Sequence, residues 1–567
     1  MSGVAPAQFP PPVDDVEEFV GPPTDPEDER IEVGVAIVGG GPAGLACAIR
    51  LMQLLEDEPE LAESLGEVPV ALVEKGKTTG AHTLSGANMR PSAMRELFPD
   101  LDPSDWPVYQ EVTKDAVYLL TKRAALPLVP MPPNFRNHGN YVTSIAKLCR
   151  FLGERAEEAG VYVLGETAAT KLLVEDRVVR GVRSGDKGRD REGSELANFE
   201  PGSDLVAKAT VLAEGTAGHL TGAALEYFDL HGHLPQRWEL GVKEVWKVPK
   251  PLDKVIHTMG WPLRKRARWN EFGGSFIYPM GADKVCIGLV CGLDYTDATF
   301  SVHDALQQLK THPFVRKILD GGEREAWGAK TIPSGGYWAM PRKLAVPGMV
   351  IAGDSATMVN VPELKGIHYA MHAGIYAAEE IVAALKRDEV DFSGYDERVR
   401  KSLIGEDLYR SRNMRQPFSK GFFLGGLIAG GLMTPTRGFF PGGIWKQVPD
   451  AEERMTFGGA GERYPKHDGE YIFDKLSSVF ASGNATRDDA PNHIRVQTRV
   501  PREVAQTWVS MCPAQVYEIP EDQLESGAAE VEVKITPSNC VQCGAITAKG
   551  GRLTPPEGGD GPLYQEV

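Results

Sequence analysis

The sequence predicts an α/β protein built on a two-part, Rossmann-like dinucleotide-binding domain. A separate sheet-and-helix domain interrupts it, and a cysteine-bearing, ferredoxin-like domain follows. Three observations predict this. The run Gly34–Leu45, GVAIVGGGPAGL, reads as an apolar strand, a Gly39-x-Gly41-x-x-Gly44 turn and the start of a helix. Two later apolar strands end in Glu214-Gly215 and Gly353-Asp354. Cys512, Cys540 and Cys543 gather near the C-terminus, whereas the other cysteines are scattered.

In the first unit Val35, Ile37 and Val38 read as a buried parallel strand. Gly39 permits the tight turn, Gly41 lets the backbone approach a pyrophosphate, and Gly44 lets the helix pack on the strand. Pro42 and Ala43 open that helix, whose N-terminal amides suit phosphate. A second apolar strand, Val68–Val73, ends in Glu74-Lys75, where a carboxylate can accept from both ribose hydroxyls of a bound adenosine. Leu55–Glu67 is an acidic insertion that lengthens the spacing between Gly44 and Glu74. The small-residue loop Gly80–Gly86, with His82 and Ser85, can pass close to a flat ring.

Residues 115–137 form an apolar, proline-broken, hairpin-like run. Asn140–Gly153 has helical spacing, and strands are expected around VYVL, TKLLVED and RVVRGV. The strand in Ala209–Gly218 ends in Glu214-Gly215, a pattern that closes many two-part FAD domains. At the strand beginning at Met349, Gly353-Asp354 offers a carboxylate to a ribityl chain. Gly366-Ile367 then opens a helix whose positive end suits a reduced flavin ring. Four parts of one FAD site thus occur in order. No second strand–GxGxxG–helix unit offers an obvious nicotinamide site.

A net charge of −17 argues against nucleic acid as a partner. Seven cysteines in 567 residues make no disulfide framework, and no charged-then-apolar leader opens the sequence, so a reducing compartment is expected. Cys47, Cys149, Cys286 and Cys291 read as small buried hydrophobes. Residues 1–30, rich in Pro, Asp and Glu, read as an exposed, disordered acidic tail. Leu220–Thr331 reads as the inserted domain, with strands near Leu240–Val248, Gly274–Pro279 and Val285–Leu289. Its cluster LRKRARW, Leu263–Trp269, suits a solvated turn or contact with lipid phosphates or an acidic partner. The uncharged run Gly421–Thr436 is too short and glycine-rich to span a bilayer. Flanked by Arg412, Arg415, Lys420, Arg437 and Lys446, it reads as an interfacial segment.

Bacterial ferredoxins hold a cubane cluster with C-x2-C-x2-C and a remote Cys-Pro. Cys512-Pro513 matches the remote ligand and Cys540-x2-Cys543 the first two of the run, but the third position is Ile546, and no Cys or His follows Cys543. Three thiolates can hold a three-iron cluster, or a four-iron cluster with water or another oxygen ligand; zinc would lack its fourth ligand, and a domain without metal stays open.

Across GGGPAGL, EKG, GAHTLSGA, NHGNY, GVKEVW, HTMGWPL, GGSFIY, GLDY, NVPELKG, CPAQVYE, NCVQC and PPEGGDGPLY, the chain resembles the electron transfer flavoprotein-ubiquinone oxidoreductase family. The resemblance implies an FAD domain over 31–114, 138–219 and 332–400. It implies a ubiquinone-binding, membrane-facing domain over 115–137 and 220–331, a membrane-surface helical segment over 401–464 and an iron–sulfur domain over 465–567. It implies Gly273 and Gly274 as backbone contacts of a quinone carbonyl, and Cys512, Cys540 and Cys543 as cluster ligands, 4Fe-4S by family. Two departures stand out: Ile546, with a shortened loop after it, and an acidic residue at Asp354. The implied activity is transfer of electrons from reduced electron transfer flavoprotein to ubiquinone or another quinone, at the cytoplasmic face of a bacterial inner membrane without spanning it. The alternative is a geranylgeranyl-reductase-like or hydroxylase-like FAD oxidoreductase with a vestigial cysteine domain.

Overall fold

The strand Ile31–Val38 is buried from Val33 onward. In a computed structural model, which describes residues 3–12 and 15–567, it pairs in parallel with two neighbours. Val35 lies opposite Val70 of Val70–Val73 and opposite Ala209 of Asp204–Leu212. Met349–Ile351 joins the far side of Asp204–Leu212, also in parallel. The four strand ends singled out by sequence therefore sit side by side at one edge, the arrangement in which open α/β sheets bind ligands. Among the described residues this sheet has nine strands.

Two glycines set how closely the covering helices approach. A Cβ on Gly44 would collide with the Gly39 carbonyl, and one on Gly374, in the helix Ile367–Leu385, would collide with the carbonyl of Ala43 in the helix Pro42–Glu56. Any side chain at either position would push a helix off its partner.

The second sheet runs in the order Glu323–Pro333, Trp238–Lys247, Lys284–Gly292, Gly273–Pro279, Val255–Gly260, Asp115–Leu120 and Ala125–Pro127. The proline-broken hairpin thus extends the sheet of the inserted region. Glu244 is fully buried in the strand Trp238–Lys247 and ion-paired to Lys310 at 2.9 Å. Trp246 Nε1 and Gln307 Nε2 donate to the same carboxylate, at 2.8 and 2.9 Å. This network fixes the helix Val302–Lys310 against the sheet, and removing one partner would strand a buried charge.

Two expectations are corrected. Residues 1–30 are not an exposed tail: among the described ones, Val20 pairs in parallel with Leu172, and Phe19 and Val20 are buried. Phe19 packs edge-on to His219, and Val4 and Met455 exchange backbone hydrogen bonds at 3.2 and 2.9 Å. Asp204 accepts from the Thr24 and Asp25 amides. Two short apolar pairs, Val4-Ala5 and Phe19-Val20, supply the burial that the composition hides. Nor is 401–464 a uniformly helical surface segment. Beyond Met433 it has only short 3₁₀ turns, and Asp450, Met455 and Ala460 are buried. Arg415, expected at the surface, is buried in a bidentate pair with Asp294 at 2.8 Å. Composition cannot distinguish a charge that faces water from one that meets a partner brought in by the fold.

Phe19→Ala should lower stability by about 3 kcal/mol and speed tryptic cleavage after Arg30, read by thermal unfolding and limited proteolysis. Unchanged cleavage would contradict the docking of the N-terminal segment.

Candidate functional site

The turn after Ile31–Val38 opens onto a cavity of about 310 Å³ lined from both sheets. Gly39 takes φ +109°, and its missing Cβ makes room for the Ala213 carbonyl. At Gly41 a Cβ would meet nothing within 4 Å, so the backbone there faces open space beside the N-terminus of Pro42–Glu56. Gly39, Gly41, Pro42 and Ala43 line the cavity; Gly44 instead packs the helix on the turn. Glu74 reaches into this corner and spans the turn: Oε2 accepts from the Gly40 amide at 2.8 Å and Oε1 from the Gly76 amide at 2.6 Å.

Of the loop 80–86, His82, Ser85 and Gly86 line the cavity, as does Lys75. Gly80 does not; it takes φ +84° and lies against Ala146 and Cys149 of the helix Ile145–Glu158. Glu214 lines the wall but is spent on the chain itself. Its carboxylate accepts from the Leu220 and Thr221 amides at 3.0 and 2.6 Å, capping the helix His219–Tyr227. Gly215 beside it presents backbone. At the far wall Asp354, Gly366 and Ile367 face the cavity, while Gly353, at φ +70°, packs on Ala43 and Ala370. Gly366 precedes the helix Ile367–Leu385, whose N-terminus therefore points into the cavity.

Gly273 and Gly274 are not among the lining residues. They begin the strand Gly273–Pro279, where a Cβ on Gly273 would meet the Val290 carbonyl and one on Gly274 the Thr258 carbonyl at 2.5 Å. Strand alternation puts Gly274 on the same face as Phe276 and Tyr278, and those two rings do line the cavity.

The cavity is polar in selected places. Ser85 Oγ, both amide atoms of Asn88 and His82 Nδ1 are buried there without a hydrogen-bond partner, and Glu239 Oε1 has only Arg415 Nε at 3.9 Å. Buried polar groups are normally satisfied, so this set fits a ligand with several hydrogen-bonding groups. Burial pushes Asp354 up to about 6 and Glu239 up to about 7, and holds His82 well below its usual range. Burial also brings Lys330 down to about 8 and Lys365 down to about 7. Glycine and acid patterns gave no sign of Asn88, Glu239, Lys330 or Lys365. A lysine inside the apolar strand run AWGAKTIP was the one available signal for Lys330.

The three C-terminal cysteines share a second, smaller cavity with Ile546. They are free thiols, and Val516 N–H donates to Cys512 Sγ at 3.4 Å. Gly544 and Leu553 line both cavities. The turn between them is clamped to the second sheet: Lys330 Nζ donates to the Gln542 carbonyl at 2.9 Å, and the Thr331 amide and hydroxyl donate to the Cys543 carbonyl at 2.9 and 2.8 Å. The thiol cavity and the large cavity are thus neighbours across one turn of backbone.

Comparison with known proteins follows the same division. Residues 238–332 match the family model described as ETF-QO, ubiquinone-binding, and residues 469–565 that described as electron transfer flavoprotein-ubiquinone oxidoreductase, 4Fe-4S. Over 571 residues the chain is 36% identical to the electron transfer flavoprotein-ubiquinone oxidoreductase of Pseudomonas aeruginosa, covering 95% of this chain and 100% of that one. It is 37% identical to the human mitochondrial protein of that name, covering 94% and 89%, and 36% identical to that of Caenorhabditis elegans, covering 94% and 91%. Among solved structures, a geranylgeranyl bacteriochlorophyll reductase-like protein of Thermoplasma acidophilum shares the fold at 16% identity and a TM-score of 0.55, over 71% of this chain and 92% of that one. By sequence along nearly its whole length, the chain belongs to the electron transfer flavoprotein-ubiquinone oxidoreductase family.

Proposed function

We propose that the chain takes electrons from reduced electron transfer flavoprotein and delivers them to ubiquinone or another membrane quinone, with FAD in the large cavity and an iron–sulfur cluster at the cysteines. The observation that carries this is the shared wall: one turn, Gln542–Gly544, separates the two cavities and is bonded to the sheet that bears Gly273 and Gly274. FAD, when bound, accepts electrons singly and passes on two. The chain's own groups bind and orient it. Backbone at Gly39 and Gly41 and the first amides of Pro42–Glu56 suit its pyrophosphate. Glu74, already held at the turn, suits the adenosine ribose, and Asp354 the ribityl hydroxyls. The positive end of Ile367–Leu385 favours negative charge on the ring.

Gly273 and Gly274 remain our candidates for the quinone carbonyl, on the sheet face that reaches the cavity through Phe276 and Tyr278. No helix among the described residues is long and apolar enough to cross a membrane. A peripheral mode is supported by Phe423, Leu424 and Leu427, which are 64%, 52% and 70% exposed on the short helix Phe422–Ile428. Lys265 lies over Phe423, and the exposed Arg266 and Arg268 are in the same loop. Basic groups beside exposed apolar ones suit a lipid headgroup boundary. We place this surface on the cytoplasmic face of a bacterial inner membrane. Reduction of an isoprenoid double bond has no specific feature in its favour, since the Thermoplasma protein shares the fold alone.

The direct test is turnover: purified protein should reduce a soluble quinone analogue only when reduced electron transfer flavoprotein is supplied. Alkene reduction without quinone reduction would favour the alternative. Asp354 supplies a pH test. A ribityl hydroxyl donating to its carboxylate favours the ionised form, so FAD binding releases a proton. Affinity should therefore rise as pH climbs toward about 6 and then level off above it. Asp354→Asn should flatten that slope and weaken FAD binding at neutral pH by about tenfold, about 1.4 kcal/mol; an unchanged slope would remove Asp354 from the site. Replacing Phe423 and Leu427 by Ser should weaken liposome flotation by about tenfold or more, and undiminished flotation would count against this surface.

A further inference from the structure

The cysteine cavity is built for sulfur-bound iron, but its donor set is one short of the four-iron cluster named by the matching family model. Backbone amides surround the thiols. Besides Val516, those of Ala514 and Gln515 turn toward Cys512, that of Gln542 toward Cys540, and that of Ala545 toward Cys543. Gln515, Gln542 and Gly544 take φ of 52°, 54° and 83°, which curls these amides inward. Such N–H nests receive anions, here thiolate and inorganic sulfide. Among the described residues no three side chains of His, Cys, Asp or Glu converge closely enough to hold a single metal ion. The thiols instead share the wall of one cavity, as ligands of separate irons in a cluster must.

The fourth corner is closed by hydrocarbon. Ile546 is 4% exposed, and its Cγ1 fills the space that a Cβ on Gly551 would enter, next to Val496. Met511, Ala514, Val516, Val541 and Leu553 complete an apolar lining. Among the described residues Tyr517, with a phenol hydroxyl, carries the one other polar side-chain group there. Among the described residues no carboxylate or imidazole lines the cavity, and no cysteine or histidine follows Cys543 in the sequence. At the position of the missing cysteine, Ile546 offers no lone pair or polar hydrogen to an iron or to an iron-bound water.

We propose that this cavity holds a cuboidal three-iron–four-sulfur cluster, one iron each on Cys512, Cys540 and Cys543, with Ile546 filling the corner where a fourth iron would sit. The proposal rests on the iron–sulfur reading above. Its consequence is that the three-iron form is the native centre and not a product of oxidative loss. Three thiolates saturate three irons, and no further donor is required.

The test uses the full-length holoprotein, purified anaerobically. Iron and acid-labile sulfide should be about three and four per flavin, and electron paramagnetic resonance should show a cluster signal in the oxidised protein. Incubation with ferrous iron and dithionite should leave the cluster unchanged on reoxidation. Ile546→Cys should take up a fourth iron under the same treatment and lose the oxidised-state signal. An oxidised protein without that signal, holding about four irons, would overturn the proposal, as would uptake of a fourth iron by the unmodified chain. Iron-free anaerobic protein would overturn it too; continued quinone reduction from electron transfer flavoprotein in that case would leave the family activity standing.

Discussion

The turn Gln542–Gly544 is the joint on which this molecule depends. It carries Cys543, begins two residues after Cys540, lines the large cavity through Gln542 and Gly544, and is bonded to Lys330 and Thr331 of the second sheet. Gln542 also meets Lys75 across the cavity wall at 3.4 Å and His493 at 2.8 Å. Four regions far apart in sequence therefore meet at one residue. Because electron transfer weakens steeply with distance, rigid apposition of the two cavities matters more than any acid–base group. Tyr564 near the C-terminus reinforces it, its hydroxyl bonding the Ala329 amide and carbonyl at 3.2 Å.

A second constraint is backbone proximity. Gly44 and Gly374 let the two long helices close over the turn that faces the cavity, and Gly39 lets the ends of two parallel strands touch. Glu74 then ties the turn from the side through two amides. The phosphate-facing corner is thus made mostly of backbone held in place by missing side chains, and a few buried polar side chains, Asn88, Lys330, Asp354 and Lys365 among them, set the polarity of the rest. Burial raises the Asp354 and Glu239 carboxyls to about 6 and about 7, so a ligand that hydrogen-bonds either carboxylate would couple its binding to protonation.

Much of this was legible in the sequence, and the parts that were share a cause. The turn at Gly39–Gly44, the strand ends at Glu74, Glu214 and Asp354, and the helix after Gly366 are local patterns in which one backbone conformation admits few residue types. Contacts between distant segments were not legible. Gly80 looked like a loop glycine near a ring but serves a helix contact with Ala146. Arg415 looked like a headgroup anchor but neutralises Asp294. The acidic N-terminal stretch looked too polar to pack, yet Phe19 and Val20 dock on a sheet edge. In each case a partner from another part of the chain decides the residue's role, and composition carries no record of that partner.

The central claim is that the cysteine cavity and the large cavity hold two redox centres in electronic contact across the Gln542–Gly544 turn. The measurement that tests it most directly is pulsed electron paramagnetic resonance of the one-electron-reduced flavin in the holoprotein. The account predicts a flavin radical whose spin relaxation is strongly accelerated by the neighbouring cluster, with the acceleration lost in Cys543→Ser. A radical that relaxes as an isolated flavin while the cluster is fully present would contradict it.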